Sequence, residues 1–173
     1  MLNEVKIAIS GKSGCGNSTV SRLVAEKLSL KLINYTFKDM AREMGIEFAE
    51  LCRLAEMDND YDKKLDQHQI ALAAQAGIVL GSRLAIWLLE NADLKVFLYA
   101  SPEVRAGRIA SREGLEYAAA LDDMTKRDMR DRKRYIRLYD IDIDEHSFAD
   151  MIIDASIDQY AIANSIIDEI KKS

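Results

Sequence analysis

The chain has 173 residues, enough for one domain with a substantial core and too few for two domains of ordinary size. Its 24 lysines and arginines against 29 aspartates and glutamates make it mildly acidic, which gives no indication of binding to nucleic acid or to a membrane surface. Its N-terminal residues lack a signal-peptide core or a bilayer-length apolar span, so we expect a cytoplasmic protein. Its two cysteines are far apart in sequence, so we expect neither a disulfide framework nor a zinc site.

Short apolar runs of strand length alternate with longer segments of helical period along the whole chain. This alternation predicts an α/β fold, in which helices cover both faces of a parallel sheet. The predicted strands are 5–9, 31–33, 78–80, 94–99 and 151–153. The predicted helices are 20–28, 37–44, 47–57, 61–75, one that begins at 101–102, one in the charged region 115–138, and 162–170. No repeat or linker interrupts the pattern, so we expect one domain over 1–173.

A glycine-rich segment follows the first predicted strand and opens the first helix, which is the context of a phosphate-binding loop. The pattern G-x-x-x-x-G-K-[ST] requires lysine at the position of Asn17. The glycines still permit the tight turn, Ser18 still offers a hydroxyl to Mg²⁺, and the helix still points amide groups at an anion. The sequence therefore predicts that ATP phosphates bind to Gly11, Lys12, Ser13, Gly14, Cys15, Gly16, Asn17, Ser18 and Thr19.

Lys12 is the nearest cation that could replace the lysine missing at position 17. It resembles the lysine of deviant phosphate loops, which occupies the second position of the loop, directly after the first glycine, and contacts phosphate. The other interpretation is an exposed loop lysine without a role in the reaction. The choice matters because a cation that faces a transferring phosphoryl group can change the rate by orders of magnitude.

Several arginines could meet the phosphate of a mononucleotide acceptor. Arg83 follows the third predicted strand, at the carboxyl edge where open α/β sheets place ligands. Arg127, Asp131 and Arg134 share one face of a predicted helix, so two guanidinium groups could grip phosphate while the carboxylate between them accepts from an exocyclic amine. The same spacing also fits a solvated helix with surface ion pairs.

Several motifs make the chain resemble one known family over nearly its whole length. They are Ile7-Ala8-Ile9-Ser10-Gly11, Arg83-Leu84-Ala85, Arg127-Asp128-x-x-Asp131-x-x-Arg134-Tyr135, Tyr139-Asp140-Ile141-Asp142 and Asp150-Met151-Ile152-Ile153-Asp154. In these residues the chain resembles the archaeal-type and related cytidylate kinases, which belong to the P-loop nucleoside-monophosphate kinases.

The resemblance implies transfer of the γ-phosphoryl group of ATP to CMP or dCMP with Mg²⁺. It implies a three-layer α/β/α fold with five parallel strands, an NMP-binding insertion at about 34–76 and a helical lid at about 112–130. It also implies a set of site residues. Lys38, Arg83, Arg127 and Arg134 would bind the acceptor, Asp131 would help to read cytosine, Ser18 would contact Mg²⁺, and Arg108 and Arg112 would approach the transferring phosphoryl group. Lys12 would join them as a catalytic cation. We expect a monomer.

Two positions depart from the family pattern. Asn17 stands in place of the loop lysine, and Gly81-Ser82 precede Arg83 where many relatives have a carboxylate. These departures support a first alternative, a catalytically weak nucleotide-binding or sensing protein on the same fold. A small-metabolite kinase is a second alternative. The second alternative would need an acceptor site without the face of Arg127, Asp131 and Arg134.

Overall fold

Five parallel strands form one sheet in the order β2-β3-β1-β4-β5. The computed structural model describes residues 2–172. The strands are β1 (Lys6–Gly11), β2 (Lys31–Ile33), β3 (Ile78–Gly81), β4 (Leu94–Tyr99) and β5 (Met151–Asp154). The helices are α1 (Asn17–Leu28), α2 (Phe37–Met44), α3 (Phe48–Met57), α4 (Asp60–Leu72), α5 (Ala85–Leu88), α6 (Pro102–Glu113), α7 (Tyr117–Tyr139) and α8 (Gln159–Ile170).

The predicted α/β class and the five parallel strands are confirmed. Strand β1 is central, because it pairs with β3 through Ile9 and Gly81 and with β4 through Ile9 and Val96. The chain leaves β1 toward β2 and β3 on one side and later crosses to β4 and β5 on the other. The phosphate loop, which follows β1, therefore lies at the point where the strand order reverses, the usual ligand position in open α/β sheets.

Each face of the sheet carries its own buried layer, because successive strand residues point to opposite sides. Ile7 and Ile9 pack against α1 and α8, with Ile166 fully buried among them. Ala8 faces the other layer together with Phe97. Burial on both faces explains why the strands read as continuous apolar runs.

The helix ends follow local chemistry. The side chain of Ser101 caps α6 by accepting from the Val104 amide, and Pro102 occupies the first turn. At the other end Gly114 adopts φ 67°, a left-handed conformation that separates α6 from α7. The predicted lid at 112–130 therefore covers the end of one helix and the first half of the next. No helix within residues 2–172 is long and apolar enough to cross a membrane.

Candidate active site

The phosphate loop turns sharply between β1 and α1. Gly14 and Gly16 have φ values of 82° and 80°, which residues with a Cβ rarely adopt. A Cβ on Gly14 would also lie 2.8 Å from the carbonyl oxygen of Arg105. Cys15 is 2% exposed inside the loop, where burial raises the pKa of its thiol. Glycine at positions 14 and 16 therefore permits the sharp turn that other residues would adopt only with strain.

The side chain of Asn17 binds backbone instead of extending into the loop. Its Nδ2 atom donates to the carbonyl oxygens of Ile9 at 2.9 Å and Ser82 at 3.4 Å. Its Oδ1 atom accepts from Ser21 Oγ at 2.9 Å. Asn17 therefore joins the carboxyl ends of β1 and β3, a structural role that an extended lysine would not fill.

Lys12 is paired in this structure, so it is not a freely exposed loop lysine. Its Nζ atom lies 2.6 Å from Asp144 Oδ1 in the loop between α7 and β5. Lys12 also borders a small cavity that is lined further by Arg83, Asp128, Asp131 and Ile143. The structure thus brings Lys12 together with two of the predicted acceptor residues.

Arg105 ties the phosphate loop to α7, a role that the sequence did not reveal. Its Nε atom donates to the carbonyl oxygen of Ser13 at 2.8 Å, and its two terminal nitrogens donate to the Asp128 carboxylate at 2.8 Å each. Arg105 is 4% exposed and the Asp128 side chain is 20% exposed, so the guanidinium is removed from water while the carboxylate keeps partial access to it. Such bidentate pairs are geometrically specific and fix the position of the loop carbonyl.

The two arginines predicted to approach the transferring phosphoryl group differ in position. Arg108 donates to the carbonyl oxygens of Gly14 at 3.2 Å and Ala155 at 2.6 Å, so it lies at the phosphate loop. Arg112, one turn further along α6, has a side chain that is 61% exposed and pairs with the adjacent Glu113. The structure therefore brings Arg108 to the loop and leaves Arg112 on the surface.

Arg83 connects the phosphate loop to the acceptor residues on α7. Its Nη2 atom donates to Ser13 Oγ at 2.6 Å, and its Nη1 atom lies 2.7 Å from Asp131 Oδ2. Arg134 Nη2 lies 3.1 Å from the other oxygen of Asp131. The Asp131 carboxylate thus lies between two guanidinium groups, which it holds in place.

The other two predicted acceptor residues lie outside this cluster. Arg127 lines an open groove of about 610 Å³ together with other residues of α7. These residues are Asp123, Lys126, Met129, Arg130 and Lys133. Lys38 is exposed on α2, with its Nζ atom 5.6 Å from the centre of the Phe48 ring.

Ser18 stands exposed in the first turn of α1, followed by Thr19. Its Oγ atom accepts from Asn34 Nδ2 at 3.2 Å, which makes Asn34, just after β2, a further residue at this edge. Within residues 2–172 no group of three or more His, Cys, Asp or Glu side chains is placed to hold a metal ion. The Ser18 hydroxyl is a hard oxygen ligand that suits Mg²⁺, which commonly takes few protein ligands and completes its shell with phosphate and water.

Helix α4 presents two carboxylates to α7 that the sequence analysis did not single out. Asp62, only 3% exposed, has one oxygen 3.1 Å from Arg134 Nε, and its Oδ2 atom lacks a hydrogen-bond partner within the described chain. Asp66 accepts from the Tyr139 hydroxyl at 2.6 Å. Burial raises the pKa of Asp66 to about 6, although the hydrogen bond from Tyr139 opposes the shift. Burial also raises the pKa of Asp62.

We expect Asp66→Asn to change how stability depends on pH. A free aspartate titrates near pH 4, whereas Asp66 in the native state titrates near pH 6. Between these two pH values the native state therefore binds more protons than the unfolded state. Asp66 thus makes the wild type lose stability as the pH rises through this range. The variant lacks this loss. Its free energy of unfolding relative to wild type should therefore rise by about 1 kcal/mol between pH 4 and pH 7, after allowance for solvent screening. Urea unfolding at pH 4, 5.5 and 7 measures the difference.

The matched control is Asp60→Asn, which removes an exposed carboxylate from the start of the same helix. Its unfolding free energy should stay parallel to that of wild type across the same pH values. An Asp66→Asn curve that also stays parallel would contradict the titration of Asp66 in the native state.

Comparison with known proteins places these features in one family. The family model described as the cytidylate kinase-like family matches residues 6–157. The chain is 47% identical over 173 residues to cytidylate kinase 2 of Borreliella afzelii (strain PKo), covering 97% of both chains. It is 38% identical over 176 residues to a cytidylate kinase of Methanocaldococcus jannaschii, covering 96% of this chain and 99% of the relative.

Solved structures support the fold at much lower identity. A shikimate kinase from Bacteroides thetaiotaomicron aligns with a TM-score of 0.67 at 16% identity, covering 98% of this chain and 99% of that protein. A deoxyadenosine kinase from M. mycoides with bound dCTP aligns with a TM-score of 0.56 at 16% identity, covering 98% and 100%. At this identity the likeness is one of fold alone.

Proposed function

The chain belongs to the cytidylate kinase-like family, and we propose that it is an enzyme that transfers the γ-phosphoryl group of ATP to CMP or dCMP. Kinase activity on a nucleoside monophosphate is the function named for its relatives, at 38% and 47% identity over nearly the whole chain. This agreement disfavours the alternative of a catalytically weak sensing protein. It also disfavours a small-metabolite kinase.

One observation carries the proposal: Arg83 contacts Ser13 in the phosphate loop and Asp131 on the acceptor side at the same time. Phosphoryl transfer between two anionic nucleotides requires a cation between them, and a planar guanidinium group can donate hydrogen bonds to the phosphates of both. Arg83 and Arg134 then bind the acceptor phosphate. Arg127 lines the groove on α7, and Lys38 lies on α2. These two residues reach the acceptor only if its binding moves α7 and α2 toward the site.

The loop amides of 11–19 hold the donor phosphates of ATP, helped by the N-terminal end of α1. Lys12 and Arg108 supply positive charge where the transition state develops negative charge, which is the main way that proteins catalyse phosphoryl transfer. Ser18 would be the protein ligand of Mg²⁺, which would supply positive charge to the phosphates of ATP. Arg112 becomes part of this group only through movement of the lid, because its side chain is exposed here.

Two segments would close over the substrates. The NMP-binding insertion, at about 34–76, contains α2, α3 and α4, and the lid, at about 112–130, contains the start of α7. Closure would exclude water, which would otherwise hydrolyse ATP. We further propose that the chain acts as a monomer in the cytoplasm.

A coupled ADP-release assay tests the function. Purified protein is supplied with ATP, magnesium and one acceptor at a time: CMP, dCMP, UMP, AMP or GMP. We expect rapid turnover with CMP and dCMP and a kcat/KM at least about tenfold lower with the others, the range that base-reading hydrogen bonds provide. ATP binding without turnover on any acceptor would overturn the proposal and would restore the sensing protein.

Asp131→Asn should reduce the preference for cytosine. In the proposed complex Asp131 accepts from the exocyclic amine of cytosine. The variant keeps the size of the side chain but weakens this acceptor, and it loosens Arg83 and Arg134. We expect the ratio of kcat/KM for CMP over UMP to fall by about tenfold, in the range of one charged hydrogen bond. The same coupled assay measures it. The control is Asp122→Asn, which changes an exposed carboxylate on α7. An equal loss of kcat/KM for CMP and UMP in Asp131→Asn would contradict a base-reading role.

A further inference from the structure

An acidic loop between α7 and β5 holds the side chain of Lys12. Lys12 Nζ and Asp144 Oδ1 are 2.6 Å apart, and their side chains are 28% and 42% exposed. On its other side Lys12 borders the cavity that Arg83 and Asp131 also line. Lys12 thus lines the same cavity as two predicted acceptor residues, while its ammonium group is paired with Asp144.

The loop that carries Asp144 is itself anchored at several points. Ile143, 3% exposed, is buried in the layer that contains Phe97, so the backbone next to Asp144 is fixed by the core. The Asp144 amide donates to Asp142 Oδ1 at 3.1 Å. An exposed lysine chain has many rotamers, whereas this one has a partner on fixed backbone.

Arg132 of α7 joins the two carboxylates of the loop. It donates to Asp142 through Nε at 2.8 Å and through Nη2 at 2.6 Å, and its Nε atom lies 3.3 Å from Asp144 Oδ2. The hydrogen bond from Arg132 lowers the pKa of Asp142 to about 2, so this carboxylate is charged at neutral pH. Both oxygens of Asp144 are therefore engaged, one by Arg132 and one by Lys12.

We propose that Asp144 is a positioning residue for phosphoryl transfer, which holds Lys12 at the mouth of the phosphate loop as the replacement for the lysine absent at position 17. An ammonium group has three donors, so one hydrogen bond to Asp144 leaves two for phosphate oxygens. A preorganised cation stabilises the transition state without the cost of reorganisation during the reaction. This inference rests on the proposed function and on the role of Lys12 within it.

The first experiment measures steady-state kinetics of the full chain with ATP, magnesium and CMP. Asp144→Asn keeps the shape of the side chain and removes its charge. We expect kcat to fall about tenfold while KM for CMP changes less than about twofold, because the acceptor contacts stay intact. Asp144→Glu retains the charge and should keep kcat within about threefold of wild type. Glu145→Gln, the neighbouring exposed carboxylate, should leave both constants unchanged.

The second experiment repeats Asp144→Asn in a Lys12→Ala background. We expect Lys12→Ala alone to lower kcat by about 30-fold, and the double variant to lose nothing further, because Asp144 acts through Lys12. A merely structural role of the acidic loop would lower kcat by the same factor in both backgrounds, and that result would overturn the inference. A rise in kcat for Asp144→Asn would also overturn it, since Asp144 would then restrain Lys12.

These measurements separate the inference from the function beneath it. A wild type without turnover overturns the kinase function, and a normal kcat in Lys12→Ala overturns the role of Lys12 and with it the inference. A loss in Lys12→Ala with normal kcat in Asp144→Asn overturns the inference alone. If Asp144→Asn does not fold, Arg132→Met takes its place: it leaves the pair of Lys12 and Asp144 but frees the loop, with an expected loss in kcat of about threefold, and an unchanged kcat contradicts the anchoring.

Discussion

Replacement of Arg83 by methionine is expected to lower kcat/KM for CMP by about 1,000-fold, which corresponds to about 4 kcal/mol of transition-state stabilisation. Arg83 joins Ser13 Oγ at 2.6 Å to Asp131 at 2.7 Å, so its loss removes the cation between the two substrates, frees Ser13 and leaves Asp131 paired with Arg134 alone. Methionine keeps much of the apolar stem. Coupled ADP release at varied CMP concentration gives the ratio.

Arg22→Met is the control for this experiment, because Arg22 is half-exposed on α1 and pairs only with Glu26 on the same helix among the described ion pairs. Its kcat/KM should equal that of wild type. Circular dichroism and thermal melting of Arg83→Met show whether the fold is retained. A folded Arg83→Met that loses less than about tenfold would remove Arg83 from the acceptor site.

Arg105→Met should have the largest effect on stability. Arg105 is buried and forms a bidentate pair with Asp128, whose side chain is 20% exposed, and removal of the arginine leaves this half-buried carboxylate without its partner. We expect a loss of about 3 kcal/mol in the free energy of unfolding, or about 6 to 12 °C in Tm for a chain of this size. Urea unfolding measures the first quantity and calorimetry the second.

The double variant Arg105→Met with Asp128→Leu tests the cause of this loss. It replaces both charges by apolar groups, so it should recover part of the stability that the single variant loses. The activity of both variants should be lower than that of wild type, because the carbonyl oxygen of Ser13 no longer has the hydrogen-bond donor that Arg105 provides. Arg112→Met, an exposed arginine on the same helix, should change stability by less than about 0.5 kcal/mol. Equal losses in Arg105→Met and Arg112→Met would contradict the importance of burial.

The strands were predictable because a parallel sheet covered on both faces leaves continuous apolar runs. The strands at 31–33 and 94–99 were predicted with their observed bounds, and the capped start of α6 at Ser101 followed from a serine before a proline. Helix α5 was missed. It is a single turn of four residues, too short for a helical period to appear in the sequence.

The pairing of charges was not predictable from sequence spacing. The helical face of Asp131 and Arg134 was found because its members are one turn apart. Arg105 and Asp128 lie on different helices, and Asp62 and Arg134 are more than seventy positions apart, so only the packing of α6, α4 and α7 brings them together. The same holds for Lys12 and Asp144, which are far apart in the sequence and meet beside the buried Ile143.

The contact between Asn17, Ser21 and Gly81 limits how this loop can change by mutation. A Cβ at Gly81 would lie 2.5 Å from Ser21 Oγ and 3.1 Å from Asn17 Oδ1, so a side chain there must displace the hydrogen-bonded pair. A lysine at 17 alone would remove one donor from each of the carbonyl oxygens of Ile9 and Ser82, which would keep only the backbone amides of Ser82 and Ala85. Positions 17 and 81 are therefore sterically coupled. We expect positions 17 and 81 to covary among relatives. A substitution at either position alone should lower the free energy of unfolding more than the two substitutions together.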